Sequence, residues 1–321
     1  MAVCSLLHFL ADHSGWVLPT ALLCGARTFL GAHLAARDAT VWPARSRVEC
    51  IGGCHDAIVR GSGIRVVATD LDGTLLRSDG SVSERTVRSL AQAEAAGILV
   101  VFVTARPIRW VDDLARIVGG HGIVICSNGA IVYAVARREL LRVHPLPLAT
   151  AHAVVASIRA RIPDAVFARE SAHGFAREAA YVARDPAPAG SPVGPIETLL
   201  DDRTVKLLVR HPSMEAADFR RRVGEAVGST ATATASTSDA LVEISAPGVT
   251  KARSLAGFCT ERGIAAAEVV AIGDMLNDLP MLAWAGTAVA VANAHPDVLV
   301  AADRVVPSND DDGVALLLES L

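Results

Sequence analysis

The chain has 321 residues, 51% of them hydrophobic and 20% charged, with a formal net charge of −4. This length predicts two domains, and the apolar share provides enough material for a globular core. The negative balance argues against a general nucleic-acid-binding protein, which would normally carry a basic face, although it permits a local basic pocket for an anionic metabolite.

Cysteine usage and hydropathy predict a cytoplasmic protein without a membrane partner. Four of the six cysteines fall within the first 54 residues, so no dense disulfide framework is predicted for the body of the chain. The spacing of Cys50, Cys54 and His55 is weak evidence for zinc, because a tetrahedral site normally needs a second ligand pair. The apolar stretch 16–36 contains a proline, an arginine and a histidine, which disfavours a spanning helix.

Residues 1–62 differ in character from the chain that follows. They hold two of the four tryptophans and show neither a helical nor a strand period. We interpret them as a poorly ordered N-terminal extension without a targeting signal. A regulatory or docking segment is the alternative.

Strands and helices alternate regularly from residue 63 onward. Continuously apolar segments predict strands at 65–70, 98–103 and 122–126. A helix over 83–96 and a second helix after Pro107 separate them. This alternation predicts an α/β fold with a Rossmann-like, doubly wound parallel sheet.

The pattern changes in the middle of the chain. Helices are predicted at 148–161 and 213–227, with short strands at 164–168, 204–210, 230–236 and 240–245. We interpret 146–246 as an α+β cap domain inserted into a core made of 63–145 and 247–321. The core pattern resumes with a helix over 250–262 and strands at 269–272, 288–291 and 305–306.

Several polar residues follow predicted strands or begin predicted helices at one edge of the sheet. They are Asp70, Asp72, Thr104, Lys251, Asp274, Asn277 and Asp278. Each alone is compatible with a turn residue, a helix cap or a solvated charge. Their joint occurrence predicts a site, because open α/β sheets bind ligands at the carboxyl ends of their strands.

These residue types suit the transfer of a phosphoryl group. A carboxylate such as Asp70 is ionised at neutral pH and can attack phosphorus. An anion attacking an anion needs neutralising charge, which a lysine can supply together with Mg²⁺ held by Asp70 and Asp274. Thr104 and Asn277 can hold phosphoryl oxygens, and Asp72 can move protons to and from the leaving oxygen and water.

Four segments, in this order, resemble the motifs of the haloacid dehalogenase-like hydrolases. They are Asp70–Thr74, Val103–Arg106, Lys251 and Gly273–Asp278. Further segments are similar to the Cof-type, sugar-phosphatase-like subfamily: Ser127–Ala130, Leu241–Ile244, Gly248–Lys251, Asn277–Leu282 and Asp312–Ala315. The resemblance covers about 64–321 and leaves the N-terminal extension outside.

The resemblance implies a role for each candidate residue. Asp70 would be the nucleophile that forms an aspartyl-phosphate, and Asp72 the general acid and base. The Asp70 carboxylate, the Asp72 backbone carbonyl and Asp274 would hold Mg²⁺. The phosphoryl group would bind to Thr104, Lys251 and Asn277, while Asp278 would orient Lys251 and a metal-bound water.

We therefore expect a Mg²⁺-dependent phosphatase of small phosphorylated metabolites, such as sugar phosphates or nucleotide-like cofactors, acting as a monomer or homodimer. A phosphotransferase or phosphomutase using the same intermediate is one alternative, and a non-catalytic protein that binds phosphometabolites is another. Substrate choice should lie in the cap. The charged cap candidates are Arg169, Glu170, His173, Arg177 and Lys206, each with a solvated surface position as the commoner alternative.

Overall fold

The computed structural model describes residues 63–111, 122–183, 186–235 and 239–321, which all fall in one compact unit. The predicted N-terminal extension and its zinc pattern lie outside the described residues, as does most of the helix predicted after Pro107. A short 3-10 helix, Ile108–Trp110, follows that proline.

Thirteen strands are numbered here in chain order within the described residues. They are β1 (Val66–Thr69), β2 (Leu99–Val103), β3 (Ile123–Cys126), β4 (Ile131–Ala134), β5 (Glu139–Val143), β6 (Val166–Ser171), β7 (Gly174–Arg177), β8 (Thr204–Arg210), β9 (Thr232–Thr234), β10 (Leu241–Ser245), β11 (Val269–Gly273), β12 (Thr287–Val291) and β13 (Arg304–Val306). The α-helices are α1 (Glu84–Ala95), α2 (Leu148–Arg161), α3 (Ile196–Leu199), α4 (Ala216–Val227), α5 (Lys251–Thr260), α6 (Leu279–Trp284), α7 (Pro296–Ala301) and α8 (Gly313–Glu319).

Eight strands form the core sheet, in the order β13-β12-β11-β1-β2-β3-β4-β5. Neighbouring strands from β13 to β3 pair in parallel. Strands β1 and β11 are buried along their whole length, which explains why their sequences are apolar without alternation. The predicted α/β class is confirmed.

The far edge of the core sheet differs from the sequence prediction. Strands β4 and β5 pair antiparallel, and β4 also runs antiparallel to β3. The chain reverses between β3 and β4 through Ser127–Gly129, a segment too short for the crossover that a parallel neighbour needs. The sheet is therefore parallel in its centre and carries an antiparallel extension at one edge.

A second sheet of five strands, the cap sheet, has the order β7-β6-β8-β10-β9. Its neighbouring strands pair antiparallel, and α2 packs against α4 beside it. All five strands come from a segment that lies between β5 and β11 in the chain, which agrees with an inserted α+β cap. The exact domain boundaries stay a prediction.

Local signals explain where two of the helices begin. The Ser83 hydroxyl accepts a hydrogen bond from the backbone N–H of Thr86 and caps α1, and Thr250 caps α5 through the N–H of Arg253. The second cap places Lys251 in the first turn of its helix. Among the described residues, no helix is long and apolar enough to cross a membrane.

Candidate active site

The site is built at the carboxyl ends of three adjacent strands. Asp70 follows β1, Thr104 follows β2, and Asp274 follows β11. Because these strands are parallel neighbours, their ends meet at one edge of the core sheet. The backbone N–H of Asp70 donates to Ile272 O at 3.0 Å, which ties the first acid to the strand that carries Asp274.

A buried lysine bridges two of the acids. Lys251 Nζ lies 2.5 Å from Asp70 Oδ1 and 2.7 Å from Asp278 Oδ1, and its side chain is 2% exposed. Burial lowers the pKa of Lys251, but the two carboxylates outweigh this and raise its pKa above the usual value. The ammonium group is therefore charged at every physiological pH.

The acids carry more charge than this one lysine can balance. Carboxylate oxygens of Asp70, Asp274 and Asp278 lie within 4.8 Å of one another, and all three residues are buried. Burial raises the pKa of Asp70 well above its usual value; Lys251 opposes this, while Asp278 and Asp274 add to it. Burial and then the charge of Asp278 raise the pKa of Asp274 to about 6.

These residues fit a divalent cation. Three carboxylates against one ammonium leave an excess negative charge in a site that water reaches poorly, and carboxylate oxygens are the ligands that Mg²⁺ prefers. The pKa values of Asp70 and Asp274 are both raised, so these two carboxyl groups hold protons more readily than usual, and a cation would take the place of those protons. Asp278 is occupied by protein donors, since its Oδ2 accepts from the N–H groups of Asp274 and Met275 at 3.1 and 3.0 Å.

The loop after β1 approaches this cluster closely. Gly73 has a φ of +79°, and a Cβ added to it would lie 2.5 Å from Asp274 Oδ2. Thr74 Oγ1 donates to Asp274 Oδ1 at 2.8 Å. A glycine at 73 is therefore needed both for the backbone conformation and for the space beside the acid.

Asp72, the predicted acid and base, stands apart from the buried acids. Its side chain is 58% exposed and forms a bidentate ion pair with Arg106, whose Nε and Nη2 donate to its two carboxylate oxygens at 2.8 and 2.6 Å. Both residues line the same cavity as Asp70. Sequence reasoning placed Arg106 in a motif but did not predict that it would bind this acid.

Thr104 and Asn277 hold different positions relative to the cavity. Asn277 lines it together with Lys251, whereas Thr104 is buried and does not line it, although the next two residues, Ala105 and Arg106, do. Thr104 Oγ1 accepts a hydrogen bond from the N–H of Arg106 at 3.0 Å. Of the predicted phosphate-binding residues, two therefore face the cavity directly in this structure.

The cavity has a volume of about 300 Å³ and is bounded on its far side by the cap sheet. Two of the charged cap candidates, Glu170 and Lys206, line it. The expectation that each is solvated is wrong for these two, which are 2% and 1% exposed. Burial is tolerated because Lys206 Nζ lies 2.5 Å from Glu243 Oε1, and Arg109 Nη2 lies 2.6 Å from Glu170 Oε1.

The other three candidates are not lining residues of this cavity. Arg169 donates to Leu199 O at 2.9 Å, and Arg177 donates to backbone carbonyls of residues 178, 179 and 181. The N–H of His173 donates to Ser171 Oγ in the turn between β6 and β7. Sequence reasoning missed Arg109, which stacks over Trp110 and Phe175 at 4.6 and 5.1 Å to the ring centroids.

A family model described as haloacid dehalogenase-like hydrolase matches residues 67–318. The curated phosphatase YcsE of Bacillus subtilis, named for 5-amino-6-(5-phospho-D-ribitylamino)uracil, is 26% identical over 257 residues, which cover 78% of this chain and 93% of that protein. A chloroplastic endoribonuclease, YBEY of Arabidopsis thaliana, is 28% identical over 263 residues; the match covers 77% of this chain but only 44% of that protein.

A solved structure from Bacteroides thetaiotaomicron supports the same assignment. It is described as one of the phosphatases of the haloalkanoate (HAD) enzyme superfamily and superposes with a TM-score of 0.68 at 26% identity, covering 82% of this chain and 97% of the other. The family model spans most of the chain, and the four motifs meet at one site. The protein belongs to the haloacid dehalogenase-like hydrolases and is an enzyme of that family.

Proposed function

We propose that this protein is a Mg²⁺-dependent phosphatase that hydrolyses small phosphorylated metabolites through an aspartyl-phosphate on Asp70. The observation that carries this proposal is the buried bridge from Lys251 to Asp70 and Asp278, beside Asp274, at the base of a cavity. A bound cation would be held by Asp70, Asp274 and the Asp72 carbonyl, and it would supply the remaining positive charge for the phosphoryl oxygens.

The first step is an in-line displacement at phosphorus. A carboxylate oxygen of Asp70 forms a bond to phosphorus while the bond from phosphorus to the leaving oxygen breaks, and Asp72 donates a proton to that oxygen. Lys251 and Asn277 stabilise the negative charge on the other phosphoryl oxygens. The pKa of Asp70 is raised, so its ionised form depends on Lys251 and on the bound cation.

The second step returns the enzyme to its starting state. Asp72, now ionised, takes a proton from water, and the resulting oxygen nucleophile attacks the phosphorus of the aspartyl-phosphate. The bond between phosphorus and Asp70 breaks and phosphate leaves. Asp72 must exchange its ion pair with Arg106 for these contacts, because both of its oxygens accept from the guanidinium in this structure.

The cavity supports a small leaving group with both polar and apolar parts. Its volume of about 300 Å³ admits a metabolite rather than a polymer, and the wall combines the Arg109–Glu170 and Lys206–Glu243 pairs with the rings of Phe175 and Tyr181. Sugar phosphates and nucleotide-like cofactors fit this description. We propose a cytoplasmic enzyme, in keeping with such substrates.

A panel of phosphorylated metabolites, assayed with p-nitrophenyl phosphate as reference, tests the proposal. We expect phosphate release with Mg²⁺ and none in excess EDTA, and we expect Asp70→Asn to abolish turnover while circular dichroism stays unchanged. Asp164→Asn, the same change at an exposed position, is the matched control. Full turnover by Asp70→Asn would refute the mechanism, and transfer of phosphate to added glycerol in preference to water would favour a phosphotransferase.

A further inference from the structure

The turn between β3 and β4 has an unusual backbone conformation, and its residues have no role in the proposed mechanism. Ser127 and Asn128 are consecutive non-glycine residues with φ values of +52° and +57°. Both are buried, and Asn128 is 1% exposed. Left-handed backbone in non-glycine residues costs free energy and persists where surrounding contacts compensate, often at functional sites.

The contacts of this turn reach the elements that carry all three predicted phosphate ligands. The N–H of Asn128 donates to Thr104 O at 3.0 Å. Asn277 Nδ2 donates to Asn128 Oδ1 at 3.2 Å. Gly129 packs under the start of α5, where a Cβ on it would lie 2.4 Å from Thr250 O, one residue before Lys251.

A carboxylate of the cap, that of Glu243, determines the orientation of the Asn128 side-chain amide. Asn128 Nδ2 lies 2.9 Å from Glu243 Oε2. An ionised carboxylate only accepts hydrogen bonds, so the amide of Asn128 must present its nitrogen to Glu243 and its oxygen to Asn277. The other carboxylate oxygen of Glu243, Oε1, lies 2.5 Å from the ammonium of Lys206, which also donates to Ala105 O at 2.8 Å.

The same logic then applies to Asn277. Because Asn128 presents an oxygen, Asn277 must turn its Nδ2 toward it, which leaves a second N–H on that nitrogen for a phosphoryl oxygen in the cavity. Asn277 Oδ1 has no hydrogen-bond partner among the described residues, so the bond to Asn128 is what orients this amide.

We propose that Asn128 is a positioning residue for the phosphatase reaction: with Glu243 and Lys206 of the cap, it fixes the Asn277 amide in its phosphate-binding orientation. This inference rests on the proposed function. The relay runs from the Lys206–Glu243 pair on the cap sheet, through Asn128, to the base of the cavity. The cap thus acts on phosphate binding as well as on the leaving group.

Exchange of donor and acceptor in the relay tests this proposal. Asn128→Asp keeps the size and tolerates the left-handed backbone, but it sets one carboxylate against another at Glu243. We expect a rise of about tenfold in the KM for p-nitrophenyl phosphate and in the dissociation constant of inorganic phosphate, the size expected for one hydrogen bond to a charged group. We expect kcat to change less than KM.

The double variant Asn128→Asp/Glu243→Gln reverses the polarity of the bond between the two positions. The introduced amide at position 243 then donates to the introduced carboxylate at position 128, which still accepts from Asn277, and phosphate affinity should return to within about threefold of the unchanged enzyme. Asn128→Gly removes the relay without backbone strain, so Glu243→Gln should not restore its phosphate affinity. Thr234→Val, which removes the other bond of Asn128 Nδ2 at 3.1 Å, is the matched control and should leave both constants unchanged.

The possible results distinguish a failure of the proposed role of Asn128 from a failure of the proposed phosphatase function. Suppose that the unchanged enzyme hydrolyses p-nitrophenyl phosphate. If Asn128→Asp then binds phosphate equally well, or if adding Glu243→Gln does not restore the phosphate affinity of Asn128→Asp, the proposed role of Asn128 is wrong, while the proposed phosphatase function is unaffected. If the unchanged enzyme neither binds phosphate nor releases it from p-nitrophenyl phosphate, both are wrong. Melting temperatures of all variants separate a loss of fold from a loss of orientation.

Discussion

Replacement of Lys251 by methionine should destabilise the protein in a way that depends strongly on pH. Lys251→Met keeps the length and the apolar stem but removes the ammonium that bridges Asp70 and Asp278. Breaking a buried pair leaves uncompensated charge and typically costs about 3–5 kcal/mol. We expect a loss in that range at pH 8 in EDTA.

The pH dependence follows from the carboxyl groups left behind. Burial already raises the pKa of Asp70 in the folded protein, and the opposing effect of Lys251 would be gone. The folded state would then bind a proton that the unfolded state releases, so stability is retained at low pH and lost as pH rises through the folded pKa. One such proton corresponds to about 1.4 kcal/mol per pH unit.

Chemical denaturation at pH 6 and pH 8, in EDTA, measures this effect. The matched control is Arg85→Met, because Arg85 pairs with Glu319 at the same 2.5 Å but in solvent, where such a pair contributes little. Equal losses in the two variants, or a Lys251→Met loss that does not grow with pH, would refute the reasoning that three buried acids share one lysine.

Three further predictions concern the metal cluster and a buried thiol. Mg²⁺ affinity, measured by calorimetry, should fall as pH drops below about 6, because a proton on Asp274 must leave before the cation binds; constant affinity from pH 5 to 8 would contradict this. Gly73→Ala should weaken Mg²⁺ binding and lower the melting temperature. Gly80→Ala is its control, because Gly80 also has a positive φ but a Cβ added there has no atom within 4 Å, so its fall in melting temperature measures the backbone strain alone. Burial raises the pKa of Cys126 to about 12, so peptide mass spectrometry should find it unmodified by iodoacetamide at pH 8 until the protein is unfolded.

Apolar runs and turn residues were sufficient to predict most elements of the core. The predicted helix at 83–96 and strand at 269–272 lie on α1 and β11 of the core, and the predicted strand at 204–210 and helix at 148–161 coincide with β8 and α2 of the cap. Strands β4 and β5 were not predicted, because their reversal depends on left-handed backbone at Ser127 and Asn128, which side-chain pattern does not reveal. Asparagine before glycine was the available signal for that turn.

The burial of charged side chains in the cap was the main feature that could not be predicted from the sequence. Glu170 and Lys206 are adjacent across β6 and β8, although 36 positions separate them in the chain. A charged residue considered alone is expected in solvent, and only partners that are distant in the chain, Arg109 for Glu170 and Glu243 for Lys206, make burial acceptable. The ion pair between Asp72 and Arg106 could not be predicted from the sequence either, because it depends on how the loops after β1 and β2 approach each other.

The central position of β1 has a consequence for biosynthesis. Its partner on one side, β2, follows within about 30 residues, but its partner on the other side, β11, is made only after the whole cap. A nascent chain that has been synthesised only as far as β10 therefore has one edge of β1 unpaired, although this apolar strand is buried in the complete fold. The cap sheet can form first from its own contacts, while the hydrolytic site waits for a contact across 181 residues between Lys251 and Asp70. Chains terminated before β11 should therefore be prone to aggregate through β1, and the enzyme can gain activity only after Lys251 and β11 have been synthesised.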